Sequence, residues 1–340
     1  MVYIRTDANK IIASGHVMRC AAIAGQIQKM GVGCTFIVAD HESEKLVVEL
    51  GFPCIVLNTR WDGLEDEIGK LLELIKERHI ERLLVDSYFA NEKYVDALSR
   101  HTKTIYIDDL DSFHFNGDVL VNYSLNYRQF RYGEKYRGPR PKLLLGEKYI
   151  PLREEFSRVQ YIVGEKVENI LITTGGADLW NISGRLLKKA VASGKYPGCK
   201  FHVISGKFNE NINELREIER TNSNIIIYEN VKNMSDLMSK CDIAITAKGT
   251  TVYELCAVGV PFISFSFADN QSKGAAGLDE GLIEYAGDLR KDVGAGVERI
   301  FSLLDRYCES SDLRLESSER LRKLVDGFGA KRIAEHILLC

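Results

Sequence analysis

Apolar positions along this chain switch repeatedly between short runs and helical stripes. In the first half, Val2–Arg5, Thr35–Val38, Cys54–Leu57, Arg82–Val85, Thr104–Ile107 and Val119–Val121 read as strands. Helical stretches around 16–31, 43–50, 64–78 and 92–101 separate them. The cleanest is 64–78, where Leu64, Ile68, Leu71, Leu72 and Ile75 share one stripe. Strands of Val and Ile alternating with helices of this length predict parallel βαβ units.

Residues 125–165 break the rhythm. NYRQFRYGEKYRGPRPK is rich in Tyr, Arg and Gly and holds two of the six prolines, so the domain junction is expected near 160. That gives a first domain over 1–160 and a second over 161–340. Alternation restarts with Ile170–Thr174, a helix near 180–193, Phe201–Ile204, Ile225–Tyr228, a short helix near 233–239 and Ile243–Thr246. A helix near 250–258 and the strand Pro261–Phe265 follow. The last fifty residues read as helical, with Gly327 and Gly329 turning the chain into a final helix. Each half opens with strand, glycine-containing turn and helix: IRTDANKIIASGH, then LITTGGADLW. The expected class is α/β, two Rossmann-like domains facing a cleft, with ligands at the C-terminal ends of the strands.

Composition narrows the function. At ~150 residues per domain, 340 residues suit two domains. Apolar residues at 45% and charged residues at 27% exclude wholesale disorder. The formal net charge of −3 leaves no basic excess for a nucleic-acid backbone, so none is expected as a partner. The stretch Leu255 to Ala268 holds 14 uncharged residues but is broken by Pro261, and a membrane span needs ~20. The N-terminus reaches Arg5 with no apolar h-region, so no secretory signal is expected. Eight cysteines without a C-x-x-C pair read as reduced, mostly buried thiols of a cytosolic protein, with Cys340 the one expected to be exposed. The seven histidines show no zinc-ligand spacing, so no metal is expected.

Three loops can carry chemistry. In RTDANKIIASGHVMRC (5–20), a strand ends near Arg5 and a helix begins near Gly15, with Val17, Ala21, Ala24 and Ile27 as its apolar stripe. His16 then sits at the positive end of a helix, which disfavours imidazolium, and a neutral histidine there is a candidate general base. The plain alternative is a histidine that packs or caps. In TTGGAD (173–178), Gly175 and Gly176 open a helix and let amides approach a phosphate, or simply form a turn. The loop matches neither a dinucleotide fingerprint nor a P-loop. In TAKGTTVYE (246–254), a carboxylate at Glu254 can accept both ribose hydroxyls while Thr250 and Thr251 meet phosphate. Glu254 reads equally as a first-turn acid favoured by the helix dipole. Asn270 and Gln271 offer amides to sugar substituents, although Asn is also a routine N-cap.

Together these loops resemble the pseudaminic acid biosynthesis nucleotide-sugar hydrolases and the related spore coat polysaccharide proteins, which are similar to the two-domain GT-B glycosyltransferases. The resembling segments are RTDANKIIASGHVMRC, VDSYFAN at 85–91, DD at 108–109, LREEF at 152–156, TTGGAD, KGTTVYELCAVGVP at 248–261 and DNQ at 269–271. The family usually has Gly at the positions of Ala13 and Lys248. The resemblance implies cleavage of a UDP-linked 2,4-diacetamido-2,4,6-trideoxyhexose into UDP and free sugar. It makes His16 the catalytic residue and places Asp7, Arg19, Asp86, Tyr88, Arg153, Asn270 and Gln271 in substrate-contacting motifs. Gly175, Gly176, Asp178, Thr250, Thr251 and Glu254 fall in the nucleotide-binding ones, Glu254 at the ribose. No cofactor is expected, and the chain is a monomer or weak homodimer. A glycosyltransferase using a UDP-sugar donor and a non-catalytic nucleotide-sugar binder are the alternatives.

Overall fold

The computed structural model describes residues 1–138, 141–206, 208–267 and 283–340. The chain forms two units, Met1–Glu154 with Gly327–Cys340, and Glu155–Asp326. The sequence instead draws the line near 160 and leaves the C-terminal residues in the second domain. The closing helix Gly329–Leu339 differs because its apolar stripe, Ala330, Ile333, Ala334 and Ile337, needs cover. It finds that cover on the first unit, where Gly329 lies so close to the Ile150 backbone that a Cβ would collide.

The first unit alternates β1 (Val2–Thr6), α1 (Gly15–Lys29), β2 (Cys34–Val38), α2 (His41–Glu49), β3 (Cys54–Val56), α3 (Leu64–Glu77), β4 (Arg82–Asp86), α4 (Glu92–Ser99) and β5 (Lys103–Ile107). Strand β6 (Val119–Asn122), the short helix α5 (Tyr132–Lys135) and β7 (Lys142–Leu145) complete its sheet. The order is β3-β2-β1-β4-β5-β6-β7 with every pair parallel. Helix α1 packs on β1, β2 and the closing helix. That double cover explains why Cys20, Ala22 and Ile23 join Val17, Ala24 and Ile27 in the buried set, while Ala21, expected on the stripe, stays half-buried.

The second unit repeats the plan with β8 (Asn169–Thr173), α6 (Ile182–Ser193), β9 (Lys200–Ser205), α7 (Ile212–Thr221), β10 (Ile225–Glu229), α8 (Met234–Ser239), β11 (Ile243–Ala247), α9 (Thr251–Val258), β12 (Phe262–Ser266) and β13 (Glu284–Asp288). Helices Val293–Glu309 and Ser311–Leu324 follow. Its sheet runs β10-β9-β8-β11-β12-β13, again parallel. Both sheets reverse direction of winding beside their first strand, between β1 and β4 and between β8 and β11. In such sheets ligands bind outside the strand ends at that reversal.

No cysteine is exposed: Cys54, Cys308 and Cys340 are half-buried and the other five are buried, all as free thiols. Cys340 thus differs from its expected exposure, tucked in with the closing helix. Among the described residues no helix is long and apolar enough to cross a membrane.

Candidate active site

The β1/β4 reversal carries the first cluster. Thr6 and Asp86 are register partners at the ends of β1 and β4, so the loop after β1 and the carboxylate closing β4 emerge side by side. The loop leads into α1, whose second residue is His16. His16 Nδ1 lies 2.7 Å from Asp86 Oδ1. Arg19, one turn on, donates from Nε to Asp86 Oδ2 at 2.6 Å and from Nη2 to Oδ1. It also donates from Nη1 to the Tyr123 hydroxyl and pairs through Nη2 with Asp109 Oδ2 at 2.8 Å. The Cys20 thiol donates to Asp86 Oδ2. The Tyr88 ring meets His16 edge-on, with centroids 4.3 Å apart.

Nδ1 faces both the Asp86 carboxylate at 2.7 Å and the Arg19 guanidinium at 3.0 Å; the shorter contact, to an acceptor, favours the proton on Nδ1, which leaves Nε2 as the candidate base. Burial opposes the charged form of Asp86, but Arg19 and then His16 outweigh it and hold the carboxyl well below the usual carboxylate range. Burial, together with the charge of Asp109, pushes the Tyr88 hydroxyl up to about 12.

Arg19 and Asp86 were expected among the substrate contacts. Both are buried and direct their polar atoms to His16, to each other and to Tyr123. Asp7 has a different task again. Its Oδ2 accepts from Arg5 Nη1 at 2.5 Å and its Oδ1 from the Ala39 amide at 2.7 Å. Arg5, wholly buried, forks its Nε and Nη2 onto Glu67 at 2.7 and 2.8 Å, and Tyr94 and Thr59 donate to the same carboxylate. Asp7 and Glu67 therefore neutralise a buried arginine under the loop-bearing end of β1. Tyr88 reaches the cluster, and Arg153 lies half-buried at the end of the first unit. Asn270 and Gln271 lie outside the described residues.

Asp109 is the addition that motif reading left without a role. Adjacent acids suggest a shared cation, but here the two part company. Asp108 accepts from the Leu110 and Asp111 amides at 3.0 and 2.7 Å and from the Tyr132 hydroxyl at 2.9 Å, whereas Asp109 turns to Arg19. Among the described residues no group of three or more His, Cys, Asp or Glu is placed to hold a metal ion.

The β8/β11 reversal carries the second cluster. After β8, Gly175 has φ +85°, a conformation that glycine adopts without strain. Gly206 packs against the Gly175 and Gly176 carbonyls with no room for a Cβ, and the Phe208 amide donates to Gly176. Asp178 is not aimed outward. Its oxygens accept from the Ile182 and Ser183 amides at 2.8 and 3.0 Å, fastening the start of α6, and burial pushes its carboxyl up. Asp178, expected in the nucleotide-binding motif, is placed for this capping where the chain turns back with φ +43°.

After β11 the chain exposes Gly249 and Thr250, and α9 begins at Thr251. The Thr250 hydroxyl makes no capping bond to its own helix. Glu254, in the first turn, is half-buried. Lys248 is buried, with Nζ 4.4 Å from the centre of the Tyr285 ring, whose hydroxyl meets Ser266 Oγ at 2.7 Å. A Gly-Thr-Thr helix start beside a lysine suits an anionic group.

No family model matches the chain. It is 25% identical over 276 residues to an uncharacterized protein of Methanocaldococcus jannaschii, an alignment over 77% of this chain and 54% of that protein, so the chain spans about half its length. It is 24% identical to the UDP-2,4-diacetamido-2,4,6-trideoxy-beta-L-altropyranose hydrolase of Campylobacter jejuni, covering 82% of this chain and 95% of the relative. The spore coat polysaccharide biosynthesis protein SpsG of Bacillus subtilis is 25% identical, with 77% and 78% covered. These are the relatives that the motif resemblance leads one to expect. Among solved structures, MurG of Acinetobacter baumannii superposes with a TM-score of 0.69 at 15% identity, over 100% of this chain and 99% of that one. The UDP-GlcNAc 2-epimerase of Neisseria meningitidis gives 0.65 at 13%, over 100% of both chains. The fold is thus the two-domain one of GT-B glycosyltransferases and sugar epimerases.

Proposed function

We propose that the protein hydrolyses a UDP-linked 2,4-diacetamido-2,4,6-trideoxyhexose at the anomeric carbon, releasing UDP and the free sugar. The observation that carries this reading is the His16–Asp86 pair at the β1/β4 reversal, an imidazole held by a carboxylate at Nδ1, with Nε2 making no hydrogen bond among the described residues. In the proposed step His16 Nε2 takes a proton from water as the water oxygen bonds to the anomeric carbon. The carbon–oxygen bond to the diphosphate breaks with its electron pair going to UDP. Asp86 then offsets the charge gained by the imidazole. Attack opposite the leaving group inverts the anomeric centre. Diphosphate is a good leaving group, so a base and a clamp for the anion suffice. The Gly249–Thr251 helix start, with Lys248 behind it, is the proposed clamp, and Glu254 the ribose ligand.

The name of the Campylobacter jejuni relative supports the substrate class. A second reading is transfer of the sugar to an acceptor hydroxyl, which the same histidine would deprotonate in place of water. One experiment separates them: incubation with the UDP-sugar in ¹⁸O-water and no acceptor, followed by NMR and mass spectrometry. Hydrolysis releases UDP and an ¹⁸O-labelled aldose, whose first-formed anomer reports inversion. An intact UDP-sugar, consumed only when an acceptor is supplied, overturns the hydrolase reading.

A further inference from the structure

We propose that Asp109 is a positioning residue that sets the charge of the His16 site, acting through Arg19. Arg19 Nη2 stands where three groups meet: Asp86 Oδ1, Asp109 Oδ2 at 2.8 Å and His16 Nδ1 at 3.0 Å. An arginine paired with Asp86 alone would cancel the charge on which His16 depends. A second carboxylate on the same guanidinium nitrogen prevents that. With Arg19, Asp86 and Asp109 ionised the cluster carries one net negative charge, and a proton on His16 brings it to zero. Placing two acids around one arginine therefore favours the imidazolium that forms when water is deprotonated.

The surroundings leave few other charges to do this. Helix α1 brings Arg19 and the Cys20 thiol, β4 brings Asp86, the segment after β4 brings Tyr88, and β6 is followed by Tyr123. Tyr106 on β5 is buried nearby and feels the same carboxylates. Cys20 and Tyr88 are held in their neutral forms by burial, and Asp86 is already committed to His16 and Arg19. Asp109 is also the more accessible acid, its side chain 21% exposed against 0% for Asp86. It therefore touches solvent on one side and a buried arginine on the other.

The inference rests on the reading of His16 as the base, and its test has one arm that needs no substrate. In protein labelled at histidine, the His16 ring signal is assigned by its loss in His16→Asn and followed against pH by NMR. In Asp109→Asn, isosteric but uncharged, the His16 transition moves to lower pH by about half a unit or more, as expected for removing an anion. In the kinetic arm the acid limb of kcat moves the same way and its plateau falls several-fold, because the base is weaker. KM changes little, and Asp109→Glu restores both. A His16 transition that stays in place in Asp109→Asn overturns the proposal, as does a Glu variant no better than Asn, or a loss confined to KM. A lower melting temperature without the pH shift marks Asp109 as merely structural and overturns it too. Absence of UDP release by the parent protein would defeat the hydrolase reading while leaving the titration to decide the role of Asp109.

Discussion

Asp86 gives one carboxylate oxygen to His16 Nδ1 at 2.7 Å and is gripped at both oxygens by Arg19. Asp86 closes β4 beside Thr6, the last residue of β1, and the loop leaving Thr6 leads into the helix that carries His16, so the sheet reversal brings the two together. Their division of labour predicts how a mutation should read out. Asp86→Asn keeps the shape but lets the amide donate to Nδ1, favouring the tautomer with its proton on Nε2, which cannot act as a base. Removing base function of this kind costs ~10²–10⁴ in kcat. KM should change little. A rise in KM with kcat intact would return Asp86 to the substrate contacts. Melting curves accompany the kinetics, because Asn leaves a buried arginine with only Asp109 as its acid.

Glu254 is tested without any sugar. A carboxylate accepting ribose hydroxyls makes charged hydrogen bonds worth ~1.5–3 kcal/mol, so Glu254→Ala should weaken UDP binding by roughly ten- to a hundredfold in calorimetry. UDP affinity that matches the parent would leave Glu254 as an acid favoured by the α9 dipole.

The strands and most helices were legible in the sequence because buried parallel strands write continuous runs of Val and Ile. What escaped did so for physical reasons. Helix α7 has only three apolar residues, Ile212, Leu215 and Ile218, and buries just Leu215 fully, so its stripe is too short to stand out in a charged segment. Strand β13, EYAGD, lies at the sheet edge and is mostly half-buried, and β7 follows a basic, proline-rich stretch. In the site, His16 was readable from its place after a strand. The role of Asp7 beside Arg5 was not, since the other acid on that arginine, Glu67, sits 62 residues further along in an otherwise apolar helical stripe, and only the fold shows that it faces Arg5. Adjacent Asp108 and Asp109 read alike on paper, yet backbone amides and Tyr132 claim one and Arg19 claims the other.

That separation bears on metal dependence. A divalent cation held by both carboxylates would require Asp108 to abandon two amides and a tyrosine hydroxyl, and Asp109 to abandon Arg19. Turnover is therefore expected to continue after dialysis against EDTA. Loss of activity restored by Mg²⁺ would show that the two acids reorganise around an ion.

Ala13 offers a test of strain in the loop that delivers His16. It sits at φ +58°, left-handed backbone that costs an L-residue roughly 1–2 kcal/mol, and it is exposed, so its methyl group has little packing to lose. Glycine removes that cost but adds about 0.5–1 kcal/mol of chain entropy to the unfolded state. The first effect is the larger, so Ala13→Gly should stabilise the protein by up to about 1 kcal/mol, which is about 1–4 °C in melting temperature for a unit of this size. The loop is pinned on its other side, where Asn9 Oδ1 accepts from the Ile11 and Ile12 amides at 2.8 and 3.0 Å and Asn9 bridges to Ala13. With that pin retained, the glycine should leave kcat near the parent value. A lower melting temperature would mean that Ala13 is unstrained in solution, and a large fall in kcat would mean that stiffness at this residue, as well as the Asn9 bridge, holds His16 in place.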